Sequence, residues 1–313
     1  MRIATRIAAC GLASWPVLAQ HTSAPTPLTT HWSFVAPQRP ALPEVQQTAW
    51  VRNPIDRFVL ARLEQLQIAP AAEADRGTLL RRLSFDLTGL PPALSELDAF
   101  QTDADPAYYE RTVKRLLAST RSAEHQARSW LDAARYGDTH GMEADWERTL
   151  WPWRDQVIRA FQQNQPFDQF TIEQLAGDLL PNATQEQRIA TGFHRNNRST
   201  AEGGLIEEEL LCNYAAERAE VTGTVWLGLT VGCARCHDHK YDPITQRDYY
   251  ALFDFFHSID EQGSNGNAAA PMPSLAVPNA ATEQELSGLQ AAIAELEQGL
   301  AQFAPEAAAQ AMR

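Results

Sequence analysis

Cysteine is scarce in this sequence. There are four in 313 residues, and Cys10 lies in a leader-like N-terminus, which leaves Cys212, Cys233 and Cys236. Three thiols exclude a disulfide-stapled scaffold, and the chain is long and apolar enough to build a core without staples. Long apolar runs are missing as well. The one at residues 7–18 is too short to cross a bilayer, so no membrane span is expected. Basic residues are in deficit, 26 against 39 acidic, for a net charge of −13. That balance argues against nucleic acid and anionic membrane as partners. Alternating apolar–polar segments are few, so a mainly α fold class is expected.

What is present begins with a secretory signal. "MRIATRIAACGLASWPVLAQ" has Arg2 and Arg6 at its start, a short apolar run, and small residues Val17 and Ala19 ahead of Gln20. Residues 1–19 read as a signal peptide, and the protein as exported, to the periplasm or the cell surface. The signal holds two arginines and no acid, so the mature chain is more acidic still. Residues 20–52, rich in Pro, Thr and Gln, read as an extended lead-in.

The ordered body is expected over 53–262. Asn53 can cap a helix that Pro54 opens, with Ile55, Phe58, Val59, Leu63 and Leu66 on one face. Val113, Leu116 and Leu117 mark a second helix, Trp130, Leu131 and Ala134 a third, and Pro152 with Val157, Ile158 and Phe161 a fourth. Asp168 is expected to cap a fifth that runs through Phe170 and Leu175. Residues 206–231 hold β-branched residues, yet Val221, Val225 and Leu229 keep helical spacing. Helix is therefore expected up to the cysteines, with Gly232 ending it. Residues 263–281 read as a flexible linker. Leu286, Leu289, Ile293, Leu296, Leu300 and Phe303 then alternate spacings of three and four, a heptad helix over 282–304. It suits either a short helix on the body or a coiled-coil arm through which copies self-associate. Residues 305–313 read as a tail, and whether the chain is a piece of a longer protein stays open.

The chemistry concentrates in "GCARCHDHKYDP", residues 232–243. Cys233, Cys236 and His237 make C-x-x-C-H, the pattern of c-type haem attachment. Two thiols one turn apart can reach the two vinyl groups on one edge of a porphyrin, and the adjacent His237 can bring its imidazole to the iron as proximal ligand. Haem c is assembled outside the cytoplasm, so the signal and the motif agree. Zinc on Cys233, Cys236, His237 and His239 competes, without the second ligand pair that structural zinc sites usually have. A redox disulfide competes too, without a thioredoxin-like strand and helix around it. For the distal position Met142, His140, His194 and His257 are the candidates, with an open position equally consistent. His239 is too close to His237 along the chain to reach the opposite haem face.

Other polar groups cluster in sequence. "YGDTHGMEADWER" places Asp138, Glu143 and Asp145 among glycines, where they suit either a cation or acid–base site or a solvated turn. Glu202 precedes Gly203 and Gly204, which allow close approach of a ligand or neighbour. Glu207, Glu208 and Glu209 suit the positive end of a helix dipole. Cys212, inside a helical pattern, reads as a buried inert thiol.

Several stretches together carry a family resemblance: "NPIDRFVLARL", "LLRRLSFDLTGLPP", "WLDAARYGDTHG", "WPWRDQVIRAF", "PFDQFTIEQLAGDLLP", "ATGFHRN", "EGGLIEEE" and "TVWLGLTVGCARCHDHKYDPI". Over about residues 50–260 the chain resembles the planctomycete-type secreted cytochrome c domain family of unknown function. The resemblance implies a mainly helical extracytoplasmic domain with one c-type haem on Cys233, Cys236 and His237. Relatives often carry a cytochrome domain upstream and an uncharacterised domain downstream, beyond a coiled-coil insertion that the heptad segment resembles. It also puts Asp138, Glu143, Asp145, Arg154, Asp155 and Glu202 inside its recognised stretches, as candidates to line a site near the haem.

Two functions are weighed. One is an exported c-type haem protein in extracytoplasmic electron transfer or redox catalysis, with a redox protein or an organic substrate as partner. Were it an enzyme, it would be a haem-dependent oxidoreductase. The other is a non-redox binding or scaffolding module in which zinc, or haem, is structural.

Overall fold

Asn53 opens the first helix as its chemistry requires. In the computed structural model, which describes residues 32–142, 145–200, 202–264 and 268–311, its side chain accepts from the backbone N–H groups of Ile55 and Asp56. Asp56 returns the bond to complete a capping box for α1, Pro54–Gln65. Such a cap stabilises a helix by about 1 kcal/mol. The leader, Glu143 and the side chain of Phe303 lie outside the described residues.

The fold is mainly helical. Among the described residues there is no strand, only isolated bridges at Thr139–Glu147 and Thr200–Ser264. After α1 come α2 (Arg76–Thr88), α3 (Leu94–Thr102), α4 (Tyr108–Leu117), α5 (Thr120–Ala133), α6 (Trp151–Gln162), α7 (Phe167–Ala176), α8 (Gln185–Ala190), α9 (Glu207–Thr222), α10 (Gln246–His257) and α11 (Ala280–Ala311).

The chain divides into two compact units, one formed by the N-terminal part to Ala69 with Cys233–Gln246, the other by Pro70–Gly232 with the chain from Arg247 onward. In the first, the lead-in is tied to α1. The carboxylate of Glu64 accepts from the backbone N–H groups of Gln46 and Gln47 at 2.9 and 3.0 Å. The second holds the aromatic core, in which Trp153, Val157, Phe193, Ile189 and Val221 are buried and Trp130, Phe161 and Trp226 pack against them. The rings meet edge to face, Trp130 with Phe170 at 4.9 Å and Phe193 with Trp226 at 4.7 Å. The buried indole N–H of Trp153 is satisfied by Gln174 Oε1 and the Ala190 carbonyl.

Three local expectations need correction. Asp168 does not cap α7: Pro166 stands at the N-cap, and Asp168 lies in the first turn, where its charge meets the dipole. The helix before the cysteines does not end at Gly232. After Thr222 it widens into a π-turn, Gly223–Leu227, which shifts the register the apolar spacing implied. Gly228, left-handed at φ 64°, then closes it by donating its N–H to the Gly223 carbonyl. Helix α11 runs from Ala280 to Ala311. Its apolar side chains are exposed, from Leu286 at 50% to Leu300 at 69%. Cys212 is half-buried rather than buried.

Gly177 fixes how α7 meets α8. A Cβ there would stand 2.1 Å from the carbonyl oxygen of Gln187, a backbone atom with nowhere to go. Gly177→Ala is therefore expected to destabilise the protein by about 3 kcal/mol, at the upper end of overpacking costs. Urea unfolding of the two proteins checks it, and equal midpoints would refute it.

Candidate functional site

The two cysteines sit on a single tight turn. Val231–Arg235 is a 3₁₀ turn, and Cys236 N–H reaches back to the Cys233 carbonyl at 3.4 Å. Both thiols are free and exposed. After them the chain is held by two side-chain–backbone hydrogen bonds. Asp238 Oδ1 accepts from Gln246 N–H at 2.8 Å, and Gln246 Nε2 donates to the Arg235 carbonyl at 3.1 Å. The start of α10 thus anchors the far end of the motif.

The two histidines of the motif are in opposite states. His237 Nδ1 lies 2.8 Å from the Asp238 carbonyl oxygen. A carbonyl only accepts, so Nδ1 carries a proton, and Nε2 of the exposed ring is the nitrogen that can offer a lone pair. His239 Nδ1 instead accepts from the N–H groups of Asp242 and Tyr241, at 2.9 and 3.3 Å. Nδ1 is thus the accepting nitrogen, and the proton on Nε2 leaves that atom no lone pair for a metal. The Asp242 carboxylate oxygen 3.3 Å from the same Nδ1 therefore forms no ion pair with it, because that nitrogen is already an acceptor.

The remaining candidates belong to the other unit and fall into separate groups. Tyr136 donates to Asp138 Oδ1 at 2.5 Å. Burial and that carboxylate push the phenol well above its usual range. Arg154 pairs with its neighbour Asp155 at 2.9 Å. Asp145, at φ 49°, closes a turn by accepting from Gly141 N–H at 2.7 Å. The Thr139 hydroxyl and that N–H hold its carboxyl below the usual range. These are the bonds of a braced turn, and among the described residues no three His, Cys, Asp or Glu side chains gather as a metal site. Glu202 is exposed, with its N–H bonded to Thr200 Oγ1. Nothing lies within 4 Å of where a Cβ would stand on Gly203 or Gly204, so the glycines do not serve close packing against a neighbour.

Of the distal candidates, Met142 and His257 are exposed. His140 Nδ1 shares a 2.7 Å hydrogen bond with Ser199 Oγ. Each is 4% exposed, which denies a substrate the hydroxyl and makes the pair a clasp between two loops. Burial, then the neighbouring Arg148, hold His140 below the usual imidazole range. His194 Nε2 donates to the Leu175 carbonyl at 3.3 Å, while its Nδ1 is buried without a hydrogen bond. Burial, then Arg218, lower its pKa from 6.5 to about 4. Folded His194 is thus neutral where the unfolded chain takes up a proton. Its contribution to stability is complete above pH 6.5 and is lost as pH falls towards 4, by up to about 3 kcal/mol. Denaturation midpoints measured from pH 7 to pH 4 are expected to fall less steeply in His194→Gln, and parallel curves would refute this.

Two polar assemblies had no signal in the sequence. Glu261, 5% exposed at its side chain, binds Arg218 at both guanidinium nitrogens and Arg195 at 2.9 Å. Arg148 donates to the carbonyls of Arg195 and Asn197. Burial, then the charge of Arg195, lower Arg148 to about 10. The second assembly surrounds Glu173, between α6, α7 and α8.

Together these features define a helical protein with one solvent-facing C-x-x-C-H turn. The family model described as "PSCyt2: Protein of unknown function (DUF1549)" matches residues 54–261, and the chain belongs to that family. No curated protein and no solved structure matches the chain.

Proposed function

We propose that this chain is an exported c-type haem protein acting in electron transfer or redox catalysis outside the cytoplasm. Cys233 and Cys236 would hold the haem by thioethers, and His237 would be its proximal ligand. The observation that carries the reading is the state of His237. Its Nδ1–H is held by the Asp238 carbonyl, which leaves Nε2 with the lone pair an axial ligand needs and braces the ring as metal-bound histidines usually are. The thiols fit as well, being free, exposed and on one turn. When bound, haem supplies a one-electron iron couple. Asp238 has a double part, since its carbonyl orients His237 and its carboxylate fixes the start of α10. Of the distal candidates, Met142 and His257 have exposed side chains.

The zinc alternative weakens on the same grounds, because His239 holds its Nδ1 lone pair against two backbone N–H groups. Export, the cytochrome context of the family and a redox partner belong to this proposal. It is tested by optical spectra of protein produced in a host that assembles haem c. A haem that survives acid-acetone extraction, is reduced by dithionite and is reoxidised by an acceptor supports the reading. Iron that never changes state would leave a structural haem instead.

A further inference from the structure

A cavity of about 530 Å³ opens between α6, α7 and α8, and its most buried charged wall is Glu173, only 7% exposed. Three neutral amides hold this carboxylate. Gln165 Nε2 donates to Oε2 at 2.8 Å, and Gln169 and Gln187 Nε2 donate to Oε1 at 3.1 and 3.2 Å. Burial pushes the carboxyl up, and the three amides outweigh it, so its pKa is held below the usual glutamate range. Among the described residues no cationic side chain pairs with it. The cation that lines the cavity, Arg159, is taken by Glu186 at 2.8 and 3.1 Å. A buried ionised group without a counter-charge is unusual, since buried charges are ordinarily paired or bind a ligand.

The lining specifies the counter-charge. A carboxylate accepts at about four positions, and three are used. Gln165 and Gln169 have turned their nitrogens to Glu173, so each keeps a carbonyl oxygen that accepts no hydrogen bond among the described residues. One carboxylate position and two amide oxygens make three acceptors, matched by the three N–H donors of a primary ammonium group. A neutral hydroxyl offers one donor and no charge.

We infer that this cavity binds a small organic cation through a primary ammonium group, with Glu173 as its counter-ion and Gln165 and Gln169 as further acceptors. The site is independent of the haem proposal and does not stand or fall with it. Isothermal titration of the full chain with 1,4-diaminobutane is expected to show saturable binding, and its neutral analogue 1,4-butanediol none. Glu173→Gln keeps the shape and removes the charge, and is expected to weaken diamine binding by at least about tenfold, the value of a charged hydrogen bond. Should that variant unfold, Gln169→Leu at an exposed position is expected to weaken binding in the same direction. Equal binding of diol and diamine, no saturable binding by the unaltered protein, or undiminished affinity in a folded Glu173→Gln protein would each overturn the inference.

Discussion

Replacing Cys233 and Cys236 together by serine is expected to abolish covalent haem in protein secreted through a haem-attachment system. The effect is all or none because each thioether needs a thiol, and Cys212, the other cysteine of the described chain, lies far along the sequence from His237. Either single replacement leaves one thioether and reduced haem content. The fold should tolerate the change, because both side chains are exposed and surface substitutions usually alter stability by less than about 0.5 kcal/mol. Mass measurement of the peptide containing residues 233–237 reads the result directly. Unmodified thiols in the unaltered, correctly matured protein would end the haem proposal. His237→Ala, by contrast, should keep the attachment and change the spectrum, since it removes the proximal imidazole and leaves both sulfurs.

Glu261→Gln is expected to cost about 3–5 kcal/mol, the range seen when one partner of a buried ion pair is removed. The carboxylate is the sole acid bonded to the Arg195 and Arg218 guanidiniums among the described residues, and the Arg218 side chain is 2% exposed. Without it, two cations remain close together in the core, with Arg148 bonded to the backbone beside them. For a chain of this size the melting temperature should fall by roughly 10 °C. Replacing all three together, Arg195→Met, Arg218→Met and Glu261→Leu, should recover much of the loss, because exchanging a whole buried ionic assembly for apolar groups is often neutral. Thermal unfolding followed by circular dichroism decides it, and a melting temperature within 2–3 °C of the unaltered protein would refute the reading by roughly the effect of one ordinary hydrogen bond.

The legible parts of this protein are the ones written in consecutive residues. The Asn53–Pro54 start of α1, the inner position of Val157 on α6 and the helical run of α11 were readable, because caps and helical spacing act over a few residues. Helices α2 and α3 were not read from the sequence, and few of their residues are fully buried. The extension beyond Gly228 misled because an i, i+4 pattern continues through a π-turn that it does not reveal.

The sequence by itself determined a mainly helical chain and the C-x-x-C-H turn, since both depend on neighbours a few positions apart. Only the tertiary structure decided which motif histidine keeps a lone pair on Nε2, because a carbonyl or an N–H opposite Nδ1 is a matter of backbone path. It also assembled Glu173 with Gln187 and Glu261 with Arg195 and Arg218, partners 14 to 66 residues apart. Burial makes those polar contacts strong, and burial is a property of the packed chain rather than of any segment.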